Sequence, residues 1–257
     1  MKRRPGLDTR KAPGQVARAG RKMREQVILQ SVAPFFEEIE KLGYDVHATS
    51  DFDEIERLVQ QTGRAGQTPM MSVERLDFTR RDAFWTFLMK DGEAIGGAGV
   101  KFVDLGDETF PTYLQRTSRA QYGREDDAIA KFAQPLVDTL AGKLIYIGEL
   151  EFRRELRGNL RLVMAFGKVL QGLSALKWAN FDWMYAIVPE AHLKFDHLYG
   201  FFTTIPDALT WVEPVPEGRL NSHAFLAVEG RHIEHLFKVA ARRLKDRNSQ
   251  ASSQTPA

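Results

Sequence analysis

Two carboxylates one residue apart, Glu149 and Glu151, stand in the β-rich run Tyr146-Ile147-Gly148-Glu149-Leu150-Glu151-Phe152 of a 257-residue chain. Side chains alternate along a strand, so acids at i and i+2 share one face, where either can take a proton from a nucleophile directly or through a water. Downstream, Arg157 and Arg161 flank the turn Gly158-Asn159, where the strand gives way to a long apolar helix. A helix start presents unpaired N–H groups and the positive end of the helix dipole, so two guanidinium groups there point to a phosphate-bearing ligand. Tyr199, ahead of Gly200-Phe201, with Asp196 and His197 beside it, offers an acid for a leaving group. Plainer roles compete for each: solvated strand carboxylates, ion pairs of the arginines with Glu155 or Asp182, and a core tyrosine with a satisfied hydroxyl. His192 and His197 are five apart, off the spacing that puts two ligands on one metal, and no metal site is expected. His232 and His235 read as one solvated helix face.

The elements that must position these residues alternate helix and strand. Gln26 to Leu42 carries a helical stripe (Val27, Ile28, Val32, Phe35, Phe36, Ile39, Leu42), in which Pro34 is expected to kink or split the helix. A short strand over Tyr44 to Ala48 leads to a helix capped by Ser50 or Asp51, with Phe52, Ile55, Leu58 and Val59 on one face. Phe84 to Met89 and Ala94 to Val103, joined by Asp91-Gly92, predict a tight hairpin. Gly96, Gly97 and Gly99 mark a bulge or a close approach in its second arm. Thr109 to Leu140 reads as a mainly helical insertion, serving as packing or as a lid. The helix from about Asn159 to Trp178 is apolar on most of its circumference and must be buried. It connects the Glu149 strand to a second β-rich run, Phe181 to Val188, and a crossover through a helix makes the two strands parallel.

Composition bounds the rest. The chain is 43% hydrophobic and 27% charged, an ordinary globular balance, and contains no cysteine, which excludes disulfides, thiolate metal sites and a cysteine nucleophile. No apolar run approaches the roughly 20 residues of a membrane span, and no secretory signal is present, so the cytoplasm is the expected location. Residues 1 to 26 hold nine Lys/Arg against two acidic residues, +7, which leaves −5 for the rest of a chain of net charge +2. That arm is expected to be disordered; its charge would suit nucleic acid, although the lack of an interleaved aromatic favours a solubilising tail. The polar end, 248 to 257, is expected to be a second disordered tail.

From Tyr44 to Val228 the order strand, helix, hairpin, strand, Arg-Gly turn, long helix, strand, short helix, Gly-Phe, strand resembles the GNAT superfamily of N-acetyltransferases. Its specific words are Glu149-Leu150-Glu151-Phe152 leading to Arg157-Gly158, and Leu198-Tyr199-Gly200-Phe201. The resemblance implies an α/β fold over 27 to 247: a mixed, mostly antiparallel sheet with a central splayed parallel strand pair, helices on both faces, and the helical insertion at about 109 to 140. It implies acetyl-CoA or another acyl-CoA as co-substrate, its pantetheine arm inserted between the splayed strands and held by Leu150, Phe152, Arg157, Gly158, Asn159, Leu160 and Arg161. Glu149 or Glu151 would act as base, Tyr199 as acid, and a small-molecule or peptide amine as acceptor. The chain departs from the family pattern at Leu160 and Leu162, where small residues usually let backbone approach pyrophosphate, and at Asp196, where many members carry the acidic tyrosine. Two alternatives follow. One is long-chain acyl transfer from acyl-CoA or an acyl carrier protein, as in the autoinducer-synthase-like branch, although Glu149-Leu150-Glu151-Phe152 lacks that branch's Glu-x-Ser-Arg pattern. The other is a catalytically silent binding module of the same fold.

Overall fold

The computed structural model describes residues 13–64, 66–75, 78–156, 158–195, 199–216 and 218–253. Arg157, Asp196, His197 and Leu198 lie outside the described residues, as do residues 1–12 of the basic arm. Helix α1 spans Pro13–Lys41, followed by β1 (Asp45–Thr49), α2 (Phe52–Gln61), the hairpin β2 (Ala83–Lys90) and β3 (Glu93–Asp104), and α3 (Phe110–Tyr122). Then come β4 (Ile129–Phe132), α4 (Gln134–Thr139), β5 (Lys143–Phe152), α5 (Leu160–Lys177), β6 (Trp183–Pro189), β7 (Thr203–Ile205), β8 (Leu209–Trp211), β9 (His223–Glu229) and α6 (Ile233–Ser253).

The seven-stranded sheet runs β1-β2-β3-β5-β6-β9-β7, and β4 and β8 form a separate two-stranded ladder. Every pair in the large sheet is antiparallel except β5 with β6. This is the mixed sheet with a central parallel pair that the sequence resemblance implied. Asp91 (φ 51°) and Gly92 (φ 82°) make the tight turn that joins β2 to β3, the positive φ pair such a turn requires.

The sheet is covered on both faces. One face buries Ile28, Val32, Phe35, Ile39, Leu162, Phe166, Val169, Ile233 and Phe237 beneath α1, α5 and α6. The other buries Trp85, Phe87, Tyr146, Tyr185, Phe225 and Trp211 beneath α2, α3, the turn Pro69–Met71 and the small ladder. Close packing on this second face explains the glycine row of β3: a Cβ on Gly97 would lie 2.8 Å from the Phe87 ring, and one on Gly99 2.7 Å from Trp85 Nε1 and from Met71 Cε. Among the described residues no helix is long and apolar enough to cross a membrane, and no group of three His, Asp or Glu is placed to hold a metal.

Several boundaries differ from expectation. Helix α1 begins at Pro13, inside the arm expected to be disordered, and Arg24 is built into the domain. Its guanidinium donates to the carbonyls of Ala179 (3.3 Å) and Gly230 and lies over the Phe181 ring. The same helix runs unbroken through Pro34, because Ile28, Val32, Phe35 and Ile39 seat residues on both sides of the proline in one core, and that packing outweighs one missing hydrogen bond. The insertion holds the helices Phe110–Tyr122 and Gln134–Thr139 and, between them, a strand that was not expected, Ile129–Phe132, which pairs with Leu209–Trp211. Helix α6 continues to Ser253, into the expected tail.

Gly99→Val tests how rigidly this second face is packed. The variant is expected to lower stability by about 1–3 kcal/mol, read as a fall in the urea midpoint. An unchanged midpoint would mean that the Trp85 ring and Met71 yield freely.

Candidate active site

The parallel pair is short by design. β5 and β6 match only at Leu144↔Trp183, Ile145↔Met184 and Tyr146↔Tyr185, although β5 continues to Phe152 and β6 to Pro189. Beyond Tyr146 each strand keeps its outer neighbour, β5 pairing with β3 as far as Phe152 and β6 with β9 as far as Pro189. Beyond that point the inner edges of the two strands are no longer paired with each other, and we call this divergence the wedge.

A bulge drives β5 away. In the β3–β5 ladder Gly99 faces Gly148 and Gly97 faces Glu151, so Glu149 and Leu150 together oppose Ala98 alone. Glu149 takes the extra residue's place with φ 62°, a left-handed conformation in mid-strand. Strict alternation, expected to put Glu149 and Glu151 on one face, is broken at this point. Both carboxylates nevertheless reach Arg64, which binds Glu149 Oε2 through Nη1 and lies 3.9 Å from Glu151 through Nη2. Thr68 completes the clamp, donating to Glu149 Oε1 from its backbone N–H (3.1 Å) and from its hydroxyl. The Glu149 side chain is 2% exposed and that of Glu151 35%. Both oxygens of Glu149 are thus engaged, whereas Glu151 is partly exposed. Between them, Trp85 and Gly97 lies free space of about 10 Å³, room for one water.

At the other end of the wedge, Gly158 (φ 100°) turns the chain and Asn159 caps α5, its side chain accepting from Leu162 N–H at 3.1 Å. Leu160 is nearly half exposed, and Leu162 is buried in the core beneath α5. Arg161 does not face a ligand: its guanidinium binds Glu38 of α1, whose side chain is fully buried, and reaches Asn248 of α6 at 3.4 Å. Burial pushes the Glu38 carboxyl up, but Arg161, Asn248 and Arg247 outweigh it and hold Glu38 below its ordinary value. The partners anticipated for the arginine, Glu155 and Asp182, are not used. Leu150 packs against the core on the α5 side, where Phe152 is buried with its ring over Gly96 and edge-on to Phe166 at 5.4 Å.

Where the chain returns beside α5, Lys168 is buried and donates to Gln171 Oε1 (2.9 Å) and to the Tyr199 carbonyl (3.4 Å), which also accepts from Gln171 Nε2 (2.9 Å). Burial pushes this ammonium down to about 7. Gly200 (φ 73°) leaves room for the Lys168 Nζ, which would lie 1.6 Å from a Cβ at that position. Burial also raises the Tyr199 hydroxyl above its ordinary value, so the phenol stays protonated and able to donate.

Residues that the sequence reading passed over complete the site. Arg64 and Thr68 lie in a loop without periodicity, and nothing in their spacing pairs them with Glu149 eighty residues on. Arg219 and His223 come from the loop before β9 and the start of that strand; both are buried on the face that carries Tyr146. Larger hollows exist away from the wedge, one of about 240 Å³ beside Ser50 and Lys177 and one of about 620 Å³ between Lys143, Asp182 and Arg231. The latter lies at the N-terminal ends of β5 and β6, opposite the edge where ligands of such sheets bind.

No protein-family model and no curated protein matches the sequence. Among solved structures the chain is similar to FeeM, an N-acyl amino acid synthase from uncultured soil microbes, at 14% identity and a TM-score of 0.43, over 77% of this chain and 96% of that one. It is similar to BjaI, a CoA-dependent acyl-homoserine lactone synthase, at 17% identity and a TM-score of 0.42, over 79% and 90%. The same holds for Escherichia coli ElaA at 13% identity and a TM-score of 0.39, over 72% and 98%. Likeness at this distance describes the course of the chain, and the chemistry rests on the residues themselves.

Two outcomes are expected from this geometry. A lysine whose folded pKa of about 7 lies below its ordinary 10.5 leaves the unfolded chain holding the extra proton, so stability rises with pH above about 7 and the full cost is present below it. Urea midpoints between pH 7 and about 9.5 should therefore climb in the parent protein and climb less in Lys168→Met; parallel slopes would show that Lys168 stays charged when folded. Arg161→Ala should cost about 1–3 kcal/mol by leaving the buried Glu38 only Asn248 and Arg247, while the Kd for CoA moves by less than about threefold. A large loss of CoA affinity at full stability would return Arg161 to the ligand.

Proposed function

We propose that the chain is an acyl-CoA-dependent N-acyltransferase, with acetyl-CoA as the first donor to test and a primary amine as acceptor. The observation that carries this is the parting of β5 from β6 after three residue pairs while both keep their outer neighbours. Two inner strand edges no longer paired with each other accept a thin, extended chain bearing amides, as a pantetheine arm does, by the same pairing that adds a strand to a sheet. The α5 start at Asn159, with helix N–H groups and the left-handed Gly158, stands where the diphosphate of such a donor would rest. With Arg161 held by Glu38, charge neutralisation there falls to the backbone and to Arg157.

In the reaction supported by this arrangement, the neutral amine attacks the thioester carbonyl and forms the C–N bond. The oxyanion that develops is met by backbone N–H of the bulge at Glu149-Leu150. Collapse breaks the C–S bond, the thiolate takes a proton from Tyr199, and the ammonium proton of the adduct passes to Glu151, directly or through a water. Glu149 has no such freedom, since Arg64 and Thr68 occupy its oxygens, and it acts by holding the bulge.

Calorimetry with CoA and acetyl-CoA tests donor binding, and thiol release across acetyl-, butyryl- and octanoyl-CoA with a panel of amines tests transfer and chain length. Glu151→Gln is expected to lower kcat by about 100-fold, and Glu149→Gln to show first as a lower urea midpoint. Absence of CoA binding at millimolar concentration would leave a silent module of this fold, and undiminished turnover in Glu151→Gln would remove it as the base.

A further inference from the structure

Arg219 is a buried cation that makes no ion pair among the described residues. It is 8% exposed, its Nε–H donates to the Tyr122 hydroxyl at 2.5 Å, and its guanidinium lies 5.7 Å from the centre of the Trp211 ring. Nη2 has no partner, and among the described residues no carboxylate pairs with it. Removing a guanidinium from water without an anion is costly, so a fold that keeps one in this state reserves it for a charge supplied from outside. The indole beside it, Trp211, likewise has an Nε1–H donor without an acceptor. A second buried cation, Lys101, sits on β3 directly opposite Tyr146.

The place of this group in the fold gives it meaning. Tyr146 is the last residue of β5 to pair with β6, and its hydroxyl lies over Gly148, 2.7 Å from where a Cβ would stand, so it marks the apex of the wedge beside the bulge. The Arg219 charge acts on Tyr146 and Glu149 together. Gly218, its neighbour, approaches the Thr68 methyl, and Thr68 holds Glu149. The loops carrying Thr68 and Arg219 thus close over the sheet face opposite α5, the face on which Glu151 waits. His223 Nδ1 fixes the second loop by accepting from Leu220 N–H at 3.3 Å.

Resting on the acyltransferase reading above, we propose that the acceptor is an amine that also bears a carboxylate, an amino acid in the simplest case, and that Arg219 binds that carboxylate while Glu151 receives the amine's proton. The planar fork of a guanidinium matches a carboxylate in two parallel hydrogen bonds, and the neighbouring indole donor suits its remaining lone pairs.

Two measurements decide it. In calorimetry, N-acetyl amino acids, which carry the product's carboxylate, are compared with the corresponding N-acetyl amino acid amides. The acids should bind at least about tenfold more tightly, and Arg219→Gln should erase the difference while Arg219→Lys keeps part of it. In turnover, the ratio of kcat/KM for amino acids over their decarboxylated amines should fall about 10- to 100-fold in Arg219→Gln. The proposal is overturned if acid and amide bind the parent protein alike, if neither binds, if inorganic phosphate competes as strongly as the acid, or if the preference survives in Arg219→Gln. The acid–amide comparison needs no variant, so a misfolded Arg219→Gln does not obscure it. Acid preference without CoA binding would reject acyl transfer and keep the carboxylate site; transfer to amines with no carboxylate preference would do the reverse.

Discussion

Glu149 is held at φ 62° in the middle of a strand, and the rest of the site depends on what holds it there. A glutamate in the left-handed region costs on the order of 1–3 kcal/mol, and neither a glycine's freedom nor an asparagine's short side chain is available to reduce it. Two donors from Thr68 and the guanidinium of Arg64 offset that cost, since hydrogen bonds to a buried charge are the stronger kind. The bulge bends β5 and raises its twist, so the strand departs from β6 after Tyr146 and the wedge opens. The loop that carries Arg64 and Thr68 is tied to the sheet by the same bonds. One carboxylate thus sets strand divergence, loop closure and the place of its neighbour Glu151, and for that reason it is itself unsuited to carry protons.

The two faces of the sheet treat buried charge differently. Beneath α1, α5 and α6 each ion is neutralised or close to losing its charge: Glu38 is paired with Arg161, and Lys168, surrounded by neutral acceptors, is pushed down to about 7. His223, on the opposite face, is pushed down to about 4, by burial and by the Arg219 charge, and stays neutral. Arg219 has no such escape, for a guanidinium does not deprotonate in proteins. Arg219 thus keeps its charge in the interior with Nη2 unpartnered.

Much of this was legible in the residues. Periodicity and turn chemistry placed the hairpin at Asp91-Gly92, the cap at Asn159 and the parallel pair joined by α5, because each rests on local rules that tertiary packing had no reason to override. The glycine row of β3 announced close approach, although which rings approach is fixed by residues far along the chain. What could not be read was everything set by distant partners. Arg161 sits at a helix start and looks available, yet its partner Glu38 lies on a helix 123 residues away. Arg64 and Arg219 stand in aperiodic loops, where no pattern marks a buried cation. The small ladder of β4 with β8 escaped for the same reason: four residues of weak alternation within a helical stretch become a strand only because Leu209–Trp211 lies alongside.

The start of α5 shows how such long-range demands reshape a binding site. Position 161 supplies charge to a ligand only if nothing else claims it, and here α1 claims it, because Glu38 lies at 0% exposure where three helices meet and an unpaired carboxylate there would be intolerable. With that side chain withdrawn, the helix start keeps its backbone N–H groups, the capped turn of Asn159 and a Leu160 that faces solvent. On the acyl-CoA proposal, affinity for the diphosphate would derive more from fixed dipoles than from mobile charges, and fixed dipoles need no side-chain ordering when a ligand arrives. Binding of this kind is weaker in total charge but preorganised, and it ties ligand recognition to the integrity of the α1–α5–α6 junction. Helix α1, whose first half the sequence placed in a basic arm, becomes through Glu38 and Arg24 a structural support of the site.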